Sequence, residues 1–143
     1  MARERSAPTV VFDTNVLVAE LAFPEEPPVC VAVAEAGAVE VAVSPALLRE
    51  FAGVLDYDHL ALSAERRAGA VERVVAFARV VEPAVSVDAA DDPDDDAVLE
   101  CALAAGADGV ISDDAHLRAL DGVAGLDVLT RDEFLDCDAD RET

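Results

Sequence analysis

Two short apolar runs in this chain end in carboxylates, and no other feature limits the possible folds as tightly. Thr9-Val10-Val11-Phe12 runs into Asp13-Thr14-Asn15-Val16-Leu17, and near the far end Gly109-Val110-Ile111-Ser112 runs into Asp113-Asp114. A β-branched and aromatic run that stops at Asp-Thr-Asn reads as a buried strand ending in a polar turn. Using that grammar twice calls for a fold in which the carboxyl ends of two strands can meet.

The intervening residues supply helices. Strands are expected over residues 8–12, 39–43, 83–87, 109–112 and 126–129. Helices are expected over 15–22, closed by Phe23-Pro24, and from Pro27 to Gly37, with prolines at the start and glycine at the end. Another spans 45–55, with Ser44 as N-cap and Pro45 behind it, and buries Leu47, Leu48, Phe51, Val54 and Leu55 at spacings of three and four. Ser63 opens a helix over 64–80, in which Arg66, Arg67, Arg73 and Arg79 alternate with Val71, Val74, Val75 and Phe77. Those arginines read as a solvated face opposite a core face, or as contacts for a polyanion. Helices over 93–105, ended by Gly106, and over 115–120 follow. Thr130-Arg131-Asp132-Glu133 has the form of a capping box and starts a last helix of one or two turns. Strands alternating with helices define an α/β domain with a mainly parallel central sheet. Residues 1–8 are expected to form a flexible tail, 9–136 the domain, and 137–143 an acidic tail.

Composition narrows the class. The 143 residues suit one domain, and 53% hydrophobic content can build its core. No apolar run approaches the roughly eighteen residues of a membrane span, and no apolar stretch follows the charged N-terminus as a secretory signal would. A cytoplasmic protein without membrane partners is expected. Cys30, Cys101 and Cys137 are odd in number and lack C-x-x-C spacing, so they read as small apolar residues and not as a disulfide frame or zinc knuckle.

The formal net charge is -21, and all ten basic residues are arginine. Such an acidic, lysine-free, Ala- and Val-rich composition resembles proteins of salt-accumulating haloarchaea, which implies a halophilic protein. A strongly anionic chain is ordinarily a poor partner for nucleic acid. In molar salt the Debye length shrinks to about 3 Å, so distant repulsion is screened and a nucleic-acid substrate stays open.

In parallel sheets the ligand site lies outside the carboxyl ends of the strands. Asp13, Asp113 and Asp114 fall there directly. Glu50 lies in the second turn of the helix that leaves the second strand, and Asp95 in the first turn of the helix that begins at Pro93. Two carboxylates 4 Å apart repel by about 4 kcal/mol at an effective dielectric of ~20, so a cluster of four must hold a cation or protons. Oxygen donors without Cys or His select Mg²⁺ or Mn²⁺ over Zn²⁺. The chemistry such ions support is hydrolysis of a phosphate ester.

The strings Val11-Phe12-Asp13-Thr14-Asn15-Val16-Leu17, Ser44-Pro45-Ala46-Leu47-Leu48-Arg49-Glu50, Asp92-Pro93-Asp94-Asp95-Asp96 and Ile111-Ser112-Asp113-Asp114 together resemble the PIN domain family. Within it the chain is similar to the VapC-like toxin components of toxin–antitoxin systems. Each motif alone is weak, and the ordered set over about residues 9–136 is specific. The resemblance implies a three-layer α/β/α sandwich and a metal-dependent endoribonuclease acting on RNA. It also implies a cognate antitoxin protein and a homodimer. Its catalytic acids fall on Asp13, Glu50, Asp95 and Asp114, with Mg²⁺ or Mn²⁺ on Asp13, Asp95 and Asp114. Asn15 and Ser112 match supporting polar positions, and Asp92 or Asp96 replaces Asp95 if the register differs. Two departures stand out. His116 occupies a position where many members carry a further Asp or Asn, which leaves open one metal or two. Asp113 replaces a frequent glycine and adds a supporting charge.

Each position has a plainer explanation. Asp13 can simply start a turn, Glu50 can be a solvated helix residue, and Asp95 at N3 behind Asp92 helps a helix begin without any metal. His59 and His116 read as surface residues. Two rival functions remain: a non-catalytic PIN-like binding module, and a phosphatase of the haloacid-dehalogenase type. The second would need another Asp two residues beyond Asp13, where this chain has Asn15.

Overall fold

The computed structural model describes residues 7–23, 25, 27–90 and 92–142. Most of the expected flexible tail, Pro24 in the first helix stop, and Thr143 lie outside those residues. β1 (Thr9–Phe12) leads into α1 (Thr14–Leu21) and α2 (Val29–Glu35), then β2 (Glu40–Val43) and α3 (Pro45–Leu55). α4 (Ala64–Phe77) passes directly into β3 (Ala78–Val80). α5 (Pro93–Ala105), β4 (Gly109–Ile111), α6 (Ala115–Arg118), β5 (Asp127–Leu129) and α7 (Arg131–Glu142) complete the described chain.

The five strands form one sheet in the order β3-β2-β1-β4-β5, and every pairing is parallel. Alternation along each strand feeds two cores. Val10, Phe12, Val41 and Ile111 pack on one face with α1, α2, α3, α4 and Phe134 of α7. Val11, Ala42, Val110 and Val128 pack on the other with α5 and Leu117 of α6. Helices on both faces make a three-layer α/β/α sandwich. Phe12 meets Phe134 edge to face at 5.7 Å, which seats α7 against β1.

Local signals set the helix ends. The Ser44 hydroxyl accepts from Leu47 N at 3.2 Å and the Ser63 hydroxyl from Arg66 N at 3.0 Å. The capping box ahead of α7 is reciprocal: Thr130 N donates to Glu133 Oε1 at 2.8 Å, and Glu133 N to Thr130 Oγ1 at 3.1 Å. Gly106 ends α5 at φ +62°, a conformation that side-chain-bearing residues rarely adopt.

Four expectations are corrected. The helix predicted over 64–80 ends at Phe77, because Ala78, Arg79 and Val80 are drawn into register with Val41, Ala42 and Val43 of β2. The segment 83–87 forms no strand; it begins with proline, and Val85 is 56% exposed. α7 runs to Glu142, longer than one or two turns, and takes in most of the expected acidic tail. Val75, assigned above to the core face, is 49% exposed, and Ala70 joins Val74 there in its place.

Three of the four arginines singled out above pair with the protein's own acids. Arg73 grips Glu35 through Nε and Nη2, at 2.7 and 2.9 Å. Arg67 lies 3.5 Å from Asp56, and Arg79 lies 3.3 Å from Glu40. No described helix is long and apolar enough to cross a membrane.

Candidate metal centre

The strand order reverses at β1. The chain leaves β1 toward β2 and β3, and later returns on its other side to β4 and β5. Loops leaving β1 and β4 therefore diverge and open a crevice at their carboxyl ends, where open α/β sheets bind ligands. Asp13 and Asp114 stand at those two ends.

A hydroxyl joins them. Ser112 Oγ donates to Asp13 Oδ2 at 2.8 Å and accepts from Asp114 N at 3.0 Å, while Asp13 N donates to Ile111 O at 3.0 Å. Asp13 and Ser112 are buried. Asp114 Oδ1 accepts from His116 N at 2.8 Å and so caps α6 as well. Replacing Ser112 with alanine removes the donor from Asp13 and the acceptor from Asp114 N. The expected result is a loss of about 1–2 kcal/mol in urea unfolding and about ten- to hundredfold weaker divalent-cation binding by calorimetry.

The helices bring two more acids. Burial, then Asp94, Asp13 and Asp92, push the Glu50 carboxyl up to about 7, against a hydrogen bond with Thr14 that lowers it. Burial, then Asp114, Asp92 and Asp13, push Asp95 up to about 6, with His116 acting the other way. Asp13 is raised above the usual carboxylate range by burial and to a smaller degree by Asp114, against the lowering hydrogen bond of Ser112. The four acids thus share one electrostatic neighbourhood, linked by the charges of Asp13 and Asp114. A raised carboxyl favours the protonated fold, so this part of stability is present below about pH 4.5 and lost as pH rises through about 7. Glu50→Gln is therefore expected to stabilise the metal-free protein at pH 8, by about 1–2 kcal/mol, and to change little at pH 4. Thermal melts at the two pH values measure the difference.

The alternatives in the acidic run have other duties. Asp96 is buried, and its Oδ1 accepts from Ala89 N at 3.0 Å and Ala90 N at 2.8 Å, which pins the loop before α5. Asp92 caps α5 through Asp94 N at 2.9 Å. Asp95 lines a cleft of about 560 Å³ with Asp92 and His116. A second cleft, of about 250 Å³, is lined by Asn15, Asp113, Asp114 and Arg131. Asp113 is exposed and holds Arg131 N through Oδ1 at 2.9 Å. His116 is 88% exposed at its side chain, and the side chain of His59 lies outside the described ones.

Two features escaped the sequence reading. Thr14, buried at the start of α1, bears on Glu50. Glu20 is buried and accepts from Cys30 N at 3.0 Å, Val31 N at 2.8 Å and Arg131 Nη2 at 2.9 Å. Its signal was available: it is the one charged residue within the apolar run Val16-Leu17-Val18-Ala19-Glu20-Leu21.

Among the described residues, no group of three or more His, Cys, Asp or Glu side chains already stands close enough to hold a metal ion. The donor set nevertheless fits one in kind. It consists of carboxylate oxygens, suited to a hard divalent cation, and burial, then the charge of neighbouring carboxylates, raises the proton affinities of Glu50, Asp95 and Asp13.

The chain matches the PIN domain over residues 9–116 and belongs to that family. PIN domains are generally nucleases that bind RNA and typically use divalent metals. No curated protein matches it.

Proposed function

We propose that this protein is a metal-dependent endoribonuclease whose centre is formed by Asp13, Glu50, Asp95 and Asp114. The observation that carries the reading is the meeting of Asp13 and Asp114, joined through Ser112, at the switch point of the sheet. Asp13, Asp95 and Asp114 would hold Mg²⁺ or Mn²⁺, which supplies Lewis acidity toward the phosphate and an activated water. Glu50 orients the attacking water and takes up its proton, a task suited to a carboxyl raised to about 7. Ser112 fixes the Asp13 carboxylate, and Asn15 and Asp113 border the cleft beside Asp114.

The ordered motifs resemble those of VapC-like toxins, and on that ground the cellular role proposed is the toxin of a toxin–antitoxin pair, acting as a homodimer in the cytoplasm. The net charge of -21 and the absence of lysine support work at high salt. The test is incubation of RNA with purified protein in molar KCl. Internal cuts are expected with Mn²⁺ or Mg²⁺ and none with EDTA or with Asp114→Asn. Cation binding without any cutting would favour the non-catalytic binding module.

A further inference from the structure

We propose that Arg131 positions an RNA phosphate beside Asp114. The inference rests on the nuclease reading and adds a substrate contact to it. Arg131 opens α7 and lines the cleft of about 250 Å³ that also borders Asn15, Asp113 and Asp114. Among the described residues it is the only arginine lining either cleft that flanks Asp114.

The guanidinium is fixed but not used up. Its Nη2 donates to Glu20 Oε2 at 2.9 Å, while its backbone N donates to Asp113 Oδ1 at 2.9 Å. Together these contacts anchor the residue to α1 and to the loop after β4. A quarter of the side chain stays exposed, although its partner Glu20 is fully buried. Its Nε is buried without a hydrogen-bond partner. A pair kept for stability alone gains little from such a cation: a buried ion pair rarely outperforms apolar packing, and an unmet buried donor adds a cost. An incoming phosphate offers the cation a second role, because the planar fork can hold one acid through one edge and present another donor to a phosphate oxygen. In molar salt only short-range contacts attract a polyanion, and Arg131 supplies one in the cleft that Asp114 lines.

The test compares wild type with two variants, Arg131→Lys and the paired Glu20→Gln with Arg131→Gln. The pair removes both charges together, so no buried ion is stranded. Cleavage of a fluorescein-labelled oligoribonucleotide in Mn²⁺ gives kcat and KM, and anisotropy in Ca²⁺ gives binding, both at several KCl concentrations. Melting temperatures identify which variants are folded. KM and Kd are expected to rise about tenfold or more with kcat little changed. The salt dependence of log Kd is expected to flatten by about 0.7 for the paired variant, the share of one phosphate contact on a single strand. A folded variant of either kind with wild-type KM, Kd and salt slope overturns the proposal. If the paired variant does not fold, Arg131→Lys decides: it keeps the charge for Glu20 but lacks the fork. Failure of the nuclease reading looks different. Wild type would then bind RNA without cutting it, and the anisotropy would still judge Arg131. Wild type that neither binds nor cuts overturns both.

Discussion

Asp13→Asn is expected to lower RNA cleavage by about a thousandfold or more while leaving the protein folded and no less stable. The two effects have one cause. Asp13 is buried at the end of β1, and burial with the nearby Asp114 raises its proton affinity. Its charge is thus a burden on the metal-free fold and an asset only when a cation arrives. Asparagine keeps an oxygen for the Ser112 hydroxyl, 2.8 Å away in the wild type, and removes the charge. A melting temperature equal to or above wild type, together with lost cleavage, is the expected pattern. Such opposition between stability and activity is usual where a site is built from mutually repelling groups. A large fall in melting temperature would instead mark Asp13 as a structural turn residue.

Glu20→Ala is expected to have the largest effect on stability, about 3–5 kcal/mol in urea unfolding. The glutamate side chain has no exposed surface, and it serves two backbone N–H groups at the start of α2 besides the Arg131 guanidinium. Alanine leaves all three donors without their acceptor and strands a buried cation. By contrast, Arg73→Ala breaks a two-pronged contact with Glu35 in which both side chains are more than a third exposed. Exposed pairs of that kind contribute about 0–1 kcal/mol and less in high salt. Burial, more than the number of hydrogen bonds, separates the two cases.

Much of this arrangement is legible in the sequence itself. Period-two apolar runs and capping residues act over a few positions, so β1, β2, β4, α3 and α5 were predicted within a residue or two at either end. The carboxyl-edge rule then placed Asp13 and Asp114 together, and β1 and β4 prove to be neighbours. β3 was not legible, because Ala78-Arg79-Val80 continues the arginine and valine spacing of α4 and only the register with β2 makes it a strand. The inward turn of Asp96, which separates it from the sequence-assigned Asp95, also needed tertiary information. Both lie in the first turn of α5, and what separates them is that Asp96 turns inward to Ala89 N and Ala90 N. The Glu20–Arg131 pair joins residues 111 positions apart, and no local pattern announces such a contact.

The central claim is that Asp13, Asp95 and Asp114 hold one cation with Glu50 beside it, and calorimetric titration of the protein with Mn²⁺ at pH 6 tests it most directly. Glu50 and Asp95, raised to about 7 and about 6, are partly protonated there, so a cation bound among them must displace protons. Saturable binding with proton release is expected, seen as a heat that depends on the ionisation enthalpy of the buffer. Asp13→Asn is expected to weaken that binding severely, and Glu50→Gln to lower the proton count. Binding that releases no protons and is indifferent to both substitutions, or no binding at all, would contradict the claim.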